Sequence, residues 1–157
     1  MSTQDQPATV STAEVYRGFL DAVNRQDLQA AETFIDVGRY RENCVGFTRG
    51  FVAWGEAKES VRTVWKGIPD LHVELHEVMA DGDVALARGT VSGTASGRLY
   101  GAPATKRSYQ ASFFDYVRVS DGLIVERIQQ ADILGQMRQL YGKGLGVVGL
   151  AAMFLRQ

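Results

Sequence analysis

A single cysteine, Cys44, stands among the 157 residues, so no disulfide can close within the chain and a reducing cytoplasm is the expected home. An excess of charge of either sign is also missing. Seventeen Lys and Arg face eighteen Asp and Glu, and a net charge of −1 offers no electrostatic footing on nucleic acid or an anionic membrane. The opening MSTQDQPATV holds no apolar stretch, so it is not a secretory leader; residues 1–10 read as a flexible N-terminus. The apolar stretch LGVVGLAAMFL (145–155) falls short of the about 20 residues a bilayer crossing takes. It reads as a packing segment, with an interfacial role as the alternative. Only two histidines occur, His72 and His76, alternating with Glu74 as zinc or iron ligands would on one strand face. No further histidine or cysteine lies near them, and the solvated face of an edge strand gives the same pattern. No metal is therefore expected. The glycines of 93–101 lack the strand–loop–helix context of a phosphate cradle, so no flavin or nucleotide cofactor is expected either.

What is present is ordinary globular material, 45% hydrophobic and 22% charged, long enough for one domain over residues 11–157. Ser11-x-x-Glu14 is a capping box, and Val15, Phe19, Ala22 and Val23 follow at helical spacing, predicting a helix over 12–25. Asp27 caps a second over 27–35, and RYRENCVGF reads as a strand. A third helix is expected over 51–67, ended by Gly67 and Pro69. The period then switches to two in LHVELHEVMA, DVALARGTVSGT, RSYQASFFDYVRVS and LIVERIQQAD. Helices followed by four or more strands predict an α+β domain, a helix-backed antiparallel sheet.

The last two strands form a hairpin about Asp121-Gly122. One face carries Phe113, Asp115 and Val117, then Val125, Arg127 and Gln129. Antiparallel pairing brings Asp115 close to Gln129 or Arg127. A carboxylate, a guanidinium and an amide aimed at one place read as a site, or as a structural ion pair bridging the hairpin. Phe114, Tyr116 and Ile128 point the other way, so the outer face also needs a cover, most simply a second copy of the chain. Trp54 and Trp65 read as core or pocket wall.

The stretches "VYRGFLDAVNRQDLQAAETFID", "PDLHVEL", "DGDVALARGTVSGTASGRLYGAPAT" and "VRVSDGLIVERIQQADILGQMRQLYG" resemble the SnoaL-like polyketide cyclase family over about residues 13–142. The resemblance implies an α+β barrel or cone with one deep, mostly apolar pocket. It also implies cofactor-free chemistry on an aromatic polyketide, with one carboxylate as general acid and base. The family's acid sits in a Glu-His-Trp-Asp stretch; this chain has Glu126-Arg127-Ile128-Gln129 there, and an amide cannot take a proton from carbon. Asp115 stands where the cyclases carry a pocket histidine, Asn43 where they carry another, and Ala95 replaces a third.

That combination resembles the branch of the family that hydroxylates anthracyclines at C-1, with molecular oxygen as co-substrate and a separate NAD(P)H-dependent reductase as partner. On that resemblance Asp115, Arg127 and Gln129 are the expected catalytic set, and Asn43, Arg41, Phe113 and Trp65 the expected substrate-binding set. Asp115 would handle protons, Arg127 would pin a phenolate or carbonyl oxygen, and Gln129 and Asn43 would hold other ring oxygens. A cyclase or isomerase using Asp115 as base, and a non-catalytic module that binds a planar aromatic, remain the alternatives.

Overall fold

A computed structural model describes residues 10–44 and 50–142. The first helix, α1 (Thr12–Asn24), starts where the capping box places it: Ser11 Oγ accepts from Glu14 N at 3.2 Å, and the Ser11 amide donates to Glu14 Oε2 at 2.8 Å. Its apolar stripe (Val15, Phe19 and Ala22, joined by Tyr16 and Leu20) is buried. Asp27 caps α2 (Leu28–Glu32) by accepting from Ala30 N at 2.9 Å. This helix stops short of residue 35 because the chain is drawn into the sheet: Ile35 bridges Ile124, and the Asp36 amide donates to Ile124 O at 3.0 Å.

The strands are β1 (Arg41–Asn43), β2 (Val52–Ala53), β3 (His72–Asp81), β4 (Val84–Thr94), β5 (Ser108–Ser120) and β6 (Leu123–Ala131). Helix α3 (Trp54–Gly67) begins three residues later than its pattern suggests, since Val52 and Ala53 pair with β1 instead. Residues 133–142 form α4. The strands make one open sheet in the order β2-β1-β6-β5-β4-β3, which α1 and α3 back. The fold class is therefore α+β, with a helix-backed curved sheet that does not close into a barrel. The sheet is not wholly antiparallel: β1 runs parallel to β6, with Glu42 as the Cα partner of Arg127. That parallel pair decides which β1 side chains point inward.

Period-two burial is clearest on β5, where Tyr109, Ala111, Phe113, Asp115, Val117 and Val119 alternate with less buried neighbours. The sheet bends where β3 carries a bulge between Leu75 and Glu77, opposite Gly89. A Cβ at Gly89 would lie 2.1 Å from Glu74 O and 2.7 Å from the Phe113 ring, so only glycine allows this close approach. Two apolar clusters fill the concave side. One gathers α1, Trp54 and the inner faces of β4 to β6; the other gathers Ile68, Leu99, Tyr109, Met137 and Leu140. The stretch 145–155 lies outside the described residues. No described helix is long and apolar enough to cross a membrane.

Candidate active site

The turn sets only the first pairs of the hairpin, Ser120 with Leu123 and Val119 with Ile124; a bulge at Val125 then shifts the register by one residue, so that buried Ile124 rather than Val125 shares the inner face with Arg127 and Gln129. Asp121 and Gly122 have φ of +53° and +77°, the left-handed pair that a two-residue reversal requires. Asp115 is the register partner of Gln129, and Val117 that of Arg127. Asp115 has no side-chain exposure, and its Oδ2 accepts from Arg127 Nε at 2.8 Å. Arg127 Nη2 lies 2.8 Å from the same oxygen, and the Tyr16 hydroxyl, reaching from α1, also donates to it. Oδ1 is buried with no partner among the described residues.

The parallel pairing of β1 adds a second carboxylate. Glu42 projects to the inner face with 5% of its side chain exposed, 3.6 Å from Arg127 Nη1, and accepts from the Tyr40 hydroxyl at 2.7 Å. The Arg127 guanidinium also lies over the Phe19 ring at 5.8 Å. Burial alone would lower the pKa of Arg127, but the negative groups around it, Asp115 first, hold it well above the usual value. Burial pushes up the Tyr16 and Tyr40 hydroxyls, and Asp115 and Glu42 respectively push them further. The Cys44 thiol is raised by burial too. Arginine thus stays charged while both tyrosines remain donors. Two carboxylates lean on one guanidinium.

Between the two apolar clusters lies a cavity of about 180 Å³. Most of its wall is aliphatic or aromatic, including Leu20, Val64, Ile68 and Trp54, and its only charged lining groups among the described residues are Glu42 and Arg127. Gln129 and Cys44 border them, and Gln136 of α4 is a further amide on the wall. At the exposed rim Tyr100 meets Ser60, hydroxyl to hydroxyl, at 2.9 Å.

The hairpin set is brought together, but its members do not share one surface. Arg127 and Gln129 line the cavity, whereas Asp115 sits behind Arg127 and is not on the wall. Phe113 is on the inner face as expected, yet it packs over Gly89 rather than facing the cavity. Asn43 and Arg41 prove to be on the wrong side of β1. They are partners of Ile128 and Glu126, on the face away from Arg127. There the exposed Arg41 donates from Nε to Glu126 at 2.7 Å and covers the Phe51 ring. Trp65 is not on the wall; Trp54, buried and held by its Nε1 donating to Glu32 at 2.7 Å, is.

Glu42 is the residue that the sequence reading missed. Its signal was the alternation Tyr40-Glu42-Cys44, which gives that side of β1 two inward-seeking neighbours while Arg39, Arg41 and Asn43 fill the other. His72, Glu74 and His76 lie exposed on the edge strand β3, and His76 Nε2 is 3.2 Å from Thr90 Oγ1. Among the described residues no three or more His, Cys, Asp and Glu side chains are grouped to hold a metal ion.

A family model described as SnoaL-like polyketide cyclase matches residues 13–140. Among solved structures, AclR of Streptomyces galilaeus, described as a candidate hydroxylase, is 21% identical with a TM-score of 0.71, over 80% of this chain and 92% of its own. IdmH of Streptomyces antibioticus, described as a candidate polyketide cyclase, is 21% identical with a TM-score of 0.73, over 82% and 96%. TsrD of Streptomyces laurentii is 28% identical with a TM-score of 0.72, over 88% and 98%. No curated protein sequence matches.

Proposed function

The chain belongs to the SnoaL-like polyketide cyclase family, and from that premise we propose that it is a cofactor-independent hydroxylase tailoring an aromatic polyketide. The observation that carries this reading is the wall of the cavity. An apolar chamber whose only charged lining groups, among the described residues, are a paired carboxylate and guanidinium suits a flat, oxygen-bearing polycycle. Gln129 faces that chamber where the resemblance places the cyclase acid, and its amide can hold a ring oxygen but cannot deprotonate carbon. The description of AclR as a candidate hydroxylase points the same way.

In this reading a separate NAD(P)H-dependent reductase converts the quinone of the substrate to its hydroquinone. Glu42 takes a phenolic proton, and Arg127 stabilises the oxygen that becomes negative. The electron-rich ring then reacts with molecular oxygen. One oxygen atom enters the ring and the other leaves as water, the two electrons coming from NAD(P)H. Asp115 and Tyr16 act through Arg127, whose guanidinium they hold in place from behind. The carboxylate on the wall also favours a second reading, an intramolecular aldol cyclisation with Glu42 as base.

Incubating the protein with a chemically reduced anthracyclinone under isotopically labelled oxygen gas separates the readings. A product with one labelled oxygen supports the hydroxylase. A parallel incubation with a tricyclic anthraquinone precursor whose last ring is still open assigns the cyclase if the product keeps its mass or only loses water. Tight binding with no turnover assigns a ligand-binding module.

A further inference from the structure

The carboxylate–guanidinium wall is not the only polar feature of the cavity. At the other end of the chamber Gln136 lines the wall with only 9% of its surface exposed. Its backbone is fixed, because the Gln136 amide N–H donates to Asp132 O at 3.0 Å and Asp132 Oδ1 caps Gly135 N at 2.8 Å. Its side-chain amide makes no hydrogen bond to any described residue. Its nitrogen and oxygen are not among the fully enclosed unpaired atoms of the described residues, so they stay open to a molecule in the chamber and can both donate to it and accept from it. Tyr109, 4% exposed, lines the same end.

The two ends are well separated. Arg127 is level with Val117, and Tyr109 lies eight residues earlier on β5, which spaces them roughly 25 Å apart along an extended strand. Side chains from both ends line the same cavity, so a molecule that fills it meets both.

We propose that Gln136 is a second polar pole of the site, reading a carbonyl or hydroxyl oxygen on the ring remote from Glu42 and Arg127. This rests on the reading of the chamber as an aromatic-polyketide site and narrows it to polycycles oxygenated on both terminal rings. A ligand with an apolar far ring would bury the Gln136 amide without a partner, and sites built to hydrogen-bond a group discriminate strongly against analogues lacking it.

Two probes test this: 1,4-dihydroxyanthraquinone, with hydroxyls on one terminal ring, and 1,4,5,8-tetrahydroxyanthraquinone, with hydroxyls on both. Binding is followed by quenching of the tryptophan emission, since one of the two tryptophans, Trp54, is on the wall. The wild type should bind the tetrahydroxy probe about 10-fold or more tighter. Gln136→Met, of similar volume, should abolish that preference by weakening only the tetrahydroxy probe. Gln136→Asn, which keeps the amide, should retain part of it, and both variants should unfold thermally near the wild type. Equal binding of the two probes by the wild type, or a preference that survives in Gln136→Met, overturns the role of Gln136 alone. Failure of the wild type to bind either probe removes the aromatic-ligand reading and this inference with it.

Discussion

Replacing Asp115 by asparagine removes one of two carboxylates from around a single buried guanidinium. Asp115 has no side-chain exposure and Arg127 has 11%, so water reaches the pair only from the cavity side of Arg127 and substitutes poorly for the lost charge. Breaking a buried ion pair by removing one partner costs about 3–5 kcal/mol, because the other charge is left uncompensated. Here Arg127 is not left alone. Glu42, at 3.6 Å, keeps it neutralised, so Asp115→Asn should fall at or below about 3 kcal/mol. Arg127→Met strands two buried carboxylates, together with the Tyr16 and Tyr40 hydroxyls that point at them, and should reach about 5 kcal/mol. The order of the two variants therefore tests whether the guanidinium is shared. Urea unfolding followed by tryptophan fluorescence measures both, with the m-value checked for constancy. If Asp115→Asn costs as much as Arg127→Met, Glu42 does not share the guanidinium. If it costs less than about 1 kcal/mol, in the range of exposed pairs, the cluster is not dry.

Glu42→Gln should lower kcat on the reduced anthracyclinone by about 10²–10⁴-fold while leaving KM nearly unchanged, and wild-type turnover would remove Glu42 from the proton transfer. Gly89→Ala should lower the melting temperature markedly, since its Cβ meets backbone at 2.1 Å; an unchanged melting curve would mean that the sheet does not pinch there. The Asp70 carboxylate accepts from Thr94 N at 2.7 Å, and the Thr94 hydrogen bonds hold its pKa below the usual value. The stability this contributes is present above the unfolded pKa of about 3.9 and is lost as pH falls through the lower folded value, so Asp70→Asn should flatten that part of the acid-unfolding curve. On the outer face Met79, Leu86, Tyr116 and Ile128 are successive register partners across four strands, flanked by the opposite-charge pairs Glu77–Arg88 and Asp83–Arg118. Such a row, apolar in the middle and of both signs at its edges, suits a second copy of the chain; a sedimenting dimer that Leu86→Glu converts to monomer is expected, and a wild-type monomer at micromolar concentration would rule it out.

Local signals settled where the first two helices start and where the last hairpin turns. The capping box starts α1, Asp27 starts α2, and the left-handed Asp121-Gly122 turn reverses the chain between β5 and β6. Strict alternation along β5 then leaves one answer for which side chains share a face. Capping, turn conformation and the parity of one strand are properties of neighbouring residues; the bulge at Val125 is not, and without it Asp115 would pair with Ile128 and Arg127 would turn to the outer face. Where the acid of the cavity wall lies is a different kind of fact. β1 is three residues long and carries polar groups on both sides, so its alternation alone argued weakly, and the resemblance pointed to Asn43, with Arg41 on the same face, rather than to Glu42. Only the parallel pairing with β6, across 85 residues of chain, turns Glu42 inward beside Arg127 and the other two outward. Likewise Asp115 is a buried anchor rather than a wall residue because α1 lays Tyr16 over it and Arg127 lies between it and the cavity. A buried carboxylate is tolerable only once a distant guanidinium has arrived to pair with it, so tertiary packing, and not local pattern, decided which acid meets the ligand.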